Sequence, residues 1–251
     1  MPGVAGKVAI VTGAGRGIGR AVADLLSSRG ASVMAVARSE NELAALGLDY
    51  VVADLGTPYG CSLTVEETHD RLGPISILVC NHGIGSAHER VIWEQEPELW
   101  HETMRINLDG AYFLSKIVVK DMVEQNYGRL VFTSSTAGQV AEYASSAYNS
   151  SKHGLLGLMR SVAQDAGPHG VTSNAVLPGW VRTKMADTSA RTEAEQRNIS
   201  PEEVWAERAS LYPAGRVLTP EEVAEVIAFL ASEEASGVSG EAITVALGGV
   251  W

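Results

Sequence analysis

The amino-acid sequence predicts an α/β protein with one parallel, doubly wound sheet of about seven strands flanked by helices. Three observations support this prediction. Short apolar runs rich in β-branched residues alternate along the chain with segments whose apolar residues recur at helical spacing. A glycine-rich turn joins the first such run to the first helical segment. Polar or glycine residues follow almost every predicted strand, at the edge where a doubly wound sheet binds its ligands.

The composition indicates one soluble domain. The chain has 251 residues, is 45% hydrophobic and carries a formal net charge of −11. It contains no repeat or linker, so we expect a single domain over residues 1–251. The acidic charge argues against nucleic acid or an anionic membrane as a partner, and we find neither a signal segment nor a bilayer-spanning run. The only cysteines, Cys61 and Cys80, favour a reducing, cytoplasmic setting, and the six scattered histidines predict no catalytic metal.

The first strand is predicted at Lys7–Val11 and the first helix at Arg20–Ser28. The residues between them, Thr12–Gly19, read TGAGRGIG. Glycines in such a turn let the backbone approach a pyrophosphate, and the helix N-terminus supplies N–H groups and a positive dipole. A glycine loop alone is often an ordinary turn, but its position between a strand and a helix favours a dinucleotide site.

The second predicted strand, Ser32–Ala37, ends without the acidic residue that commonly binds the ribose 2′-hydroxyl of NAD. Arg38 follows instead, and its guanidinium suits a 2′-phosphate, with Arg16 assisting. We therefore expect NADP(H) as the cofactor, with NAD(H) as the alternative. The competing interpretation of Arg38 is a solvated loop arginine.

The same alternation continues along the chain. Asn107 lies near the middle of a long predicted helix from about 98 to 122. A polar residue there indicates either a buried side chain with a functional role or an ordinary hydrogen-bonded core asparagine. Residues 182–212 break the alternation, and we expect them to form a lid over the substrate. Further strands are predicted at Asp49–Ala53, Ile75–Cys80, Arg129–Thr133, Thr172–Leu177 and Ala242–Val245, and further helices at about 62–72, around Tyr148 as far as Ala166, and from Thr219.

Tyr148 and Lys152 are four residues apart and therefore share one face of a helix. A lysine ammonium beside a tyrosine stabilises the phenolate and lowers the pKa of the phenol. A hydroxyl at the preceding strand end, from Ser134 or Ser135, would orient a carbonyl group against that phenol. Beside a hydride carrier, this combination of phenol, ammonium and hydroxyl groups suits reduction of a ketone or oxidation of an alcohol. The spacing alone is common on solvated helix faces, so its weight comes from the cofactor turn and the strand-end residues around it.

One set of motifs, in this order, carries a family resemblance: Thr12–Gly19, Asp54, Asn81–Gly83, Asn107, Ser135, Tyr148–Lys152 and Pro178–Thr183. With these motifs the sequence resembles the classical short-chain dehydrogenase/reductase family over essentially its full length. The resemblance implies a Rossmann fold, an NAD(P)-dependent oxidoreductase and a homotetramer, in which the apolar tail ending at Trp251 would pack on a neighbouring subunit.

The resemblance also implies roles for the matched residues. Tyr148 would be the general acid/base, and Ser135 would orient the carbonyl. Lys152 would bind the nicotinamide ribose, while Asn107 would hold a water linking it to solvent. The implied cofactor-binding residues are Gly13, Arg16, Gly17, Ile18, Gly19, Arg38, Asp54, Leu55, Asn81, Gly83, Tyr148, Lys152, Pro178, Gly179, Val181 and Thr183. The expected substrate-binding residues are Ser135, Gln139, Val140, Tyr143, Tyr148, Trp180 and Met185, with Trp205 contributing from the lid.

His82 departs from the family pattern because it stands where a small alanine is usual. We expect it to pack without effect on the chemistry. The alternative is that it alters cofactor binding or adds a titrating group.

The leading hypothesis is an NADP(H)-dependent oxidoreductase that interconverts a ketone and a secondary alcohol. A 3-oxoacyl thioester, a cyclic ketone and a sugar derivative all remain open as its small-molecule substrate. One alternative is an NAD-dependent dehydrogenase of a hydroxy acid, polyol or sugar derivative. Another is a non-catalytic dinucleotide-binding regulatory protein. A sugar epimerase or dehydratase of the extended family is disfavoured, because the chain is too short for the added C-terminal domain.

Overall fold

In a computed structural model that describes residues 3–249, seven parallel strands form one sheet. The strands are β1 (Val8–Thr12), β2 (Ser32–Ala37), β3 (Asp49–Val52), β4 (Ile77–Cys80), β5 (Gly128–Thr133), β6 (Val171–Pro178) and β7 (Ala242–Val245). Their order across the sheet is β3-β2-β1-β4-β5-β6-β7. The winding direction reverses between β1 and β4, which is the point where a doubly wound sheet opens a ligand crevice.

Helices cover both faces of this sheet. They are α1 (Gly17–Ser28), α2 (Glu40–Ala44), α3 (Pro58–Leu72), α4 (Pro97–Met104), α5 (Gly110–Gln125), α6 (Ser146–Ala166), α7 (Lys184–Arg197), α8 (Pro201–Ser210) and α9 (Pro220–Leu230). Apolar residues of α3, α5 and α6 pack on one face, and those of α1 and α9 pack on the other. Because the central strands are covered twice, they read as continuous apolar runs, which explains why the sequence predicts them well.

The predicted long helix over residues 98–122 differs from the structure in one informative respect. The chain forms α4 and α5 there, joined by a π-helical turn at Arg105–Asp109 that contains Asn107. A π-turn widens the helix locally and is frequent at functional sites. The polar residue near the middle of the segment therefore marks a distortion of the helix as well as a buried side chain.

Cys61 and Cys80 are free and buried, and burial raises the pKa of each thiol to about 12.

None of the helices within residues 3–249 is both long and apolar enough to cross a membrane. Over the same residues, no group of three or more His, Cys, Asp or Glu side chains is arranged to hold a metal ion.

Candidate active site

A cavity of about 820 Å³ opens along the carboxyl ends of the strands. It extends from Arg38 and Asp54, which follow β2 and β3, to Trp180 and Met185 beyond β6. The structure thus brings together residues from many separate segments of the chain. The predicted cofactor residues that line this cavity are Gly13, Arg16, Gly17, Ile18, Arg38, Asp54, Leu55, Asn81, Gly83, Tyr148, Lys152, Pro178, Gly179, Val181 and Thr183.

The turn between β1 and α1 requires glycine for two different reasons. Gly13 and Gly17 have φ angles of +65° and +55°, which side chains disfavour. Gly19 does not line the cavity; a Cβ there would lie far closer than 3.0 Å to the carbonyl oxygen of Gly13. Gly19 therefore lets α1 pack against the turn. Among the described residues, no side chain caps α1 and no acid lies in its first turn, so its N–H groups fit a pyrophosphate.

Charged side chains surround the end of the cavity beside β2. Arg38 and Arg16 both line it, as the sequence predicts. Glu42 lines it too, although sequence reasoning missed this residue because it lies on α2 rather than at a strand end. Its Oε1 atom lies 3.2 Å from Nη1 of Arg16 and 3.7 Å from Nζ of Lys184. Since Arg16 faces this carboxylate, Arg38 is the better candidate for recognising a 2′-phosphate.

Asp54 is held by a partner that the sequence did not reveal. Nη1 of Arg105, in the π-turn, donates to Oδ2 of Asp54 at 3.0 Å, and the N–H of Gly56 donates to Oδ1, also at 3.0 Å. Burial alone would raise the pKa of Asp54, but these two donors hold it below its ordinary value. A fixed carboxylate at this point suits the predicted contact with an adenine amine.

Thr12, at the end of β1, organises the Asn81–His82 segment. Its Oγ1 atom donates to the carbonyl of Val79 at 3.1 Å and accepts the N–H of Asn81 at 2.8 Å. Nδ1 of His82 also lies 2.8 Å from this oxygen. Burial, and then the charge of Lys152, lowers the pKa of His82 to about 4. The imidazole is therefore neutral at pH 7.

Space for the His82 ring comes from a glycine on the neighbouring helix. A Cβ on Gly110, the first residue of α5, would lie 2.9 Å from Nε2 of His82. The histidine thus packs where α5 presents no side chain. The ring is therefore accommodated, and its contact with Thr12 ties it to the turn below the cavity. That His82 has no effect on the chemistry stays a prediction.

Tyr148 and Lys152 lie together at the centre of the cavity wall. Nζ of Lys152 is 5.6 Å from the centroid of the Tyr148 ring and donates to the carbonyl of Thr133 at 2.9 Å. Burial lowers the pKa of Lys152 to about 8. Burial, followed by the charge of Glu142, raises the pKa of Tyr148 to about 12, although a hydrogen bond with Ser135 opposes this shift.

The raised pKa of Tyr148 differs from the expectation that Lys152 would lower it. The physical reason is that the phenol is desolvated and faces two carboxylates, those of Glu142 and Glu89. Neither carboxylate is at a strand end or in a recognised motif, which is why sequence reasoning missed both. In this environment the phenol is protonated at neutral pH.

The two adjacent serines after β5 have different environments. Oγ of Ser134 donates to the carbonyl of Lys152 at 2.9 Å and so joins the strand end to α6. Ser135 lines the cavity and bonds with Tyr148 through its side chain. Its oxygen also accepts the N–H of Ala137 at 3.1 Å. Ser135, the residue predicted to orient a carbonyl, is thus the serine beside the phenol.

Asn107 lies behind the cavity wall, and its side chain makes three hydrogen bonds. Its Oδ1 accepts the N–H of Ile84 at 2.8 Å, and its Nδ2 donates to the carbonyl of Ile84 at 3.0 Å and to Oγ of Ser151 at 3.1 Å. Ser151 in turn donates to the carbonyl of Tyr148 at 2.8 Å. The side chain of Asn107 therefore joins the π-turn to the loop after β4 and to the helix carrying Tyr148.

The predicted substrate wall is only partly correct. Trp180 and Met185 line the cavity, but Gln139, Val140 and Tyr143 do not. The short 3-10 turn at Thr136–Gly138 directs the chain away, so Tyr143 is 87% exposed and Oε1 of Gln139 accepts from Thr244 at 3.4 Å. The wall instead includes Glu142, Ile84 and Leu99. Trp205 is buried outside the wall, edge-on to Trp180 with ring centroids 6.4 Å apart.

A glycine turn below a strand-end cavity that contains a buried phenol is the arrangement of a dinucleotide-dependent oxidoreductase. Comparison with known proteins gives the same class. A family model described as enoyl-(acyl carrier protein) reductase matches residues 13–249. The chain belongs to the short-chain dehydrogenase/reductase family, and it is an NAD(P)-dependent oxidoreductase.

Individual relatives cover almost the whole chain. It is 34% identical over 247 residues to the 3-oxoacyl-acyl-carrier-protein reductase FabG of Escherichia coli (strain K12), with 96% of each protein covered. Among solved structures, levodione reductase has a TM-score of 0.92 at 29% identity, with 96% of each chain covered. A variant of actinorhodin polyketide ketoreductase, solved with NADPH, has a TM-score of 0.91 at 32% identity, with 96% of this chain and 97% of that one covered.

Proposed function

We propose that this protein is an NADP(H)-dependent reductase that converts a hydrophobic ketone into a secondary alcohol, with Tyr148 as the proton donor. One observation carries the proposal: the side chains of Ser135, Tyr148 and Lys152 meet in the wall of the cavity that also contains the β1–α1 glycine turn. A carbonyl held there would be within reach both of a proton donor and of a cofactor bound along the strand ends.

The side chains divide the chemistry between them. The nicotinamide cofactor, when bound, supplies the hydride. Ser135 donates a hydrogen bond that holds the carbonyl oxygen, and Tyr148 gives that oxygen its proton. The buried ammonium of Lys152 then stabilises the phenolate that remains. Asn107 keeps the backbone around Tyr148 in place and is the proposed holder of a water that returns a proton toward Lys152.

The proposed preference for NADP(H) is supported by charge. Arg38 lines the cavity immediately after β2, and the strand-end position that would hold an acid for NAD is Ala37. The carboxylate of Glu42 would repel a 2′-phosphate. Arg16 and Lys184 both lie within 3.7 Å of that carboxylate and offset its charge. NAD(H) remains the alternative cofactor.

The substrate class is supported by relatives and by the wall. Proteins of similar sequence or structure are named as reductases of 3-oxoacyl groups, levodione and a polyketide. In this chain the wall is apolar at Ile84, Leu99, Trp180 and Met185, with one carboxylate at Glu142. A 3-oxoacyl thioester or another hydrophobic ketone fits this wall better than a polyol does.

The proposal is tested with NADPH oxidation over a panel of 3-oxoacyl thioesters, cyclic ketones and sugars. We expect the acyl and cyclic ketones to be reduced, and Tyr148→Phe to lower kcat by at least about 1,000-fold while the Kd for NADPH changes less than about twofold. Tyr148→Phe at full activity would refute the mechanism. NADPH binding without turnover of any substrate by the wild-type protein would instead favour a regulatory protein.

Three further expectations stay predictions. Residues 182–212, which form α7 and α8, are proposed to act as the substrate lid, and Met185 at their start lines the cavity. The cytoplasmic location and the homotetramer are proposed by likeness to the family. The tail residue Trp251, expected to pack on a neighbouring subunit, lies outside the described residues.

A further inference from the structure

The loop between β4 and α4 contacts the helix that carries Tyr148. The carboxylate of Glu89 accepts two hydrogen bonds at 2.8 Å, one from the N–H of Ala147 and one from the N–H of Tyr148. Both N–H groups belong to the first turn of α6, and the local N-cap residue, Ser145, makes no capping bond with its side chain. A glutamate from a distant loop therefore supplies the cap of this helix.

The same loop is fixed at its other end to the π-turn. Ile84 exchanges two hydrogen bonds with the side chain of Asn107. Between these anchors, the N–H of Glu89 donates to the carbonyl of Ser86 at 2.9 Å, and residues 84–88 line the cavity. Residues 84–89 thus connect Asn107 to the backbone of Tyr148 along the cavity wall.

Glu89 also acts on Tyr148 through its charge. Burial raises the pKa of the Glu89 carboxyl, while the N–H groups of Ala147 and Tyr148 oppose that rise. Its anion disfavours a second negative charge on the phenol and offsets the positive N-terminus of α6. Glu142 also acts on the phenol through its charge, and Lys152 lies beside the phenol ring. His82, His88 and Glu102 line the same cavity, and Arg208 and Tyr212 interact with Glu142.

We propose that Glu89 is a positioning residue that fixes the first turn of α6 against the loop over the cavity and thereby sets the backbone position and the charge environment of Tyr148. This inference rests on the proposed carbonyl reduction, and it adds a reason why the enzyme favours reduction over alcohol oxidation. A carboxylate at this position stabilises the phenol over the phenolate, and the phenol is the form that reduction consumes. Alcohol oxidation, which needs the phenolate, is correspondingly shifted to higher pH.

The first test compares Glu89→Gln with the control Glu94→Gln, an exposed position farther along the same loop. We expect Glu89→Gln to lower kcat for ketone reduction about tenfold, with the KM for NADPH unchanged within about twofold. The pH at which Tyr148 itself ionises, read as the tyrosinate absorbance that Tyr148→Phe removes, should move down by about 0.5–1 pH unit. Glu94→Gln should match the wild type in each respect.

A second variant separates charge from position. Glu89→Asp keeps the anion but shortens the side chain, so we expect the rate to fall while the pH at which Tyr148 ionises stays near its wild-type value. A Glu89→Gln enzyme in which Tyr148 ionises at the wild-type pH would overturn the proposal even if its rate falls, because a merely structural cap has no reason to change that pH. Circular dichroism at the start of each titration verifies that each variant is folded.

Hydrogen exchange tests the contact without turnover. In Glu89→Gln, the amides of Ala147 and Tyr148 should exchange at least about tenfold faster than in the wild type or in Glu94→Gln. Unchanged exchange would reject the Glu89 contact. A wild-type protein that reduces no ketone would reject the proposed function instead, so the two failures are distinguishable.

Discussion

The two halves of the cavity are built in different ways. The cofactor half, from the β1–α1 turn to Asp54, consists of backbone turns and residues at strand ends. The substrate half, around Trp180, consists of side chains packed between α7, α8 and the loop after β5. A short local motif fixes the geometry of the first half. The second half depends on contacts between residues that are distant in the sequence.

Arg208, on α8, shows how the substrate half is held together. Its guanidinium carbon lies 3.6 Å from the centroid of Trp180 and 5.1 Å from that of Trp205. It also donates to Oγ of Ser189 at 3.1 Å and to Oε2 of Glu193 at 2.9 Å, both on α7. One buried cation therefore joins the two helices and supports the ring of Trp180 that faces the cavity.

The largest effect is expected from breaking the cofactor half at Gly19. In Gly19→Ala the new Cβ would overlap the backbone of Gly13, which cannot move without opening the turn. We expect an increase of at least about 100-fold in the Kd for NADPH and a loss of at least about 3 kcal/mol in the free energy of unfolding. Fluorescence titration with NADPH and urea unfolding measure the two quantities.

Gly157 provides the matched control for that substitution. It is exposed on α6, and a Cβ there would meet nothing within 4 Å. Gly157→Ala should leave NADPH binding unchanged and raise the free energy of unfolding by about 0.5–1 kcal/mol, because alanine is the better helix former. If Gly19→Ala bound NADPH like Gly157→Ala, the backbone account of the cofactor half would be wrong.

A smaller effect is expected from breaking the substrate half at Arg208. Arg208→Ala removes the cation between two tryptophans and leaves Glu193 without this partner. We expect a loss of about 2 kcal/mol in the free energy of unfolding, seen as a fall of about 4–8 °C in Tm. The KM for the ketone should rise while the Kd for NADPH stays constant, since Arg208 lies outside the cofactor half.

Arg197→Ala is the comparison for Arg208, because Arg197 also pairs with Glu193 but lies exposed. Solvent screens such a pair, so its loss should leave both Tm and the KM for the ketone nearly unchanged. Equal effects of the two substitutions would show that the tryptophan stack contributes nothing specific to the substrate half.

The same difference explains what the sequence could predict. The order of strands and helices, the glycine turn and the strand-end residues follow local patterns, and the fold they predict is confirmed. Tyr143 was expected in the substrate wall, but the 3-10 turn after β5 directs the chain to the surface there. Glu89 and Glu142 reach the phenol only through loop packing, for which the sequence carries no periodic signal.

The proposed preference for NADP(H) can be tested at Arg38, at the outer edge of the cofactor half. Arg38→Ala should raise the KM for NADPH about 10- to 50-fold and leave the KM for NADH within about twofold, because only NADPH carries the 2′-phosphate. Arg20→Ala, an exposed arginine of α1 paired with Asp24, is the control and should change neither. Equal increases for both cofactors in Arg38→Ala would refute the assignment of Arg38.

His82 gives the smallest expected effect and tests whether side-chain packing also matters in the cofactor half. Its folded-state pKa of about 4 lies below the ordinary value of 6.5. Between these two values the unfolded chain binds a proton at His82 that the folded chain does not, so stability is lost as the pH falls from 6.5 toward 4. We expect the wild type to lose about 1–2 kcal/mol more than His82→Ala between about pH 7 and pH 5, measured by urea unfolding. His153→Ala, at an exposed position on α6, should follow the wild type. Parallel curves for all three proteins would mean that the neutral imidazole beneath the cavity makes no titrating contribution, and that backbone geometry alone accounts for the cofactor half.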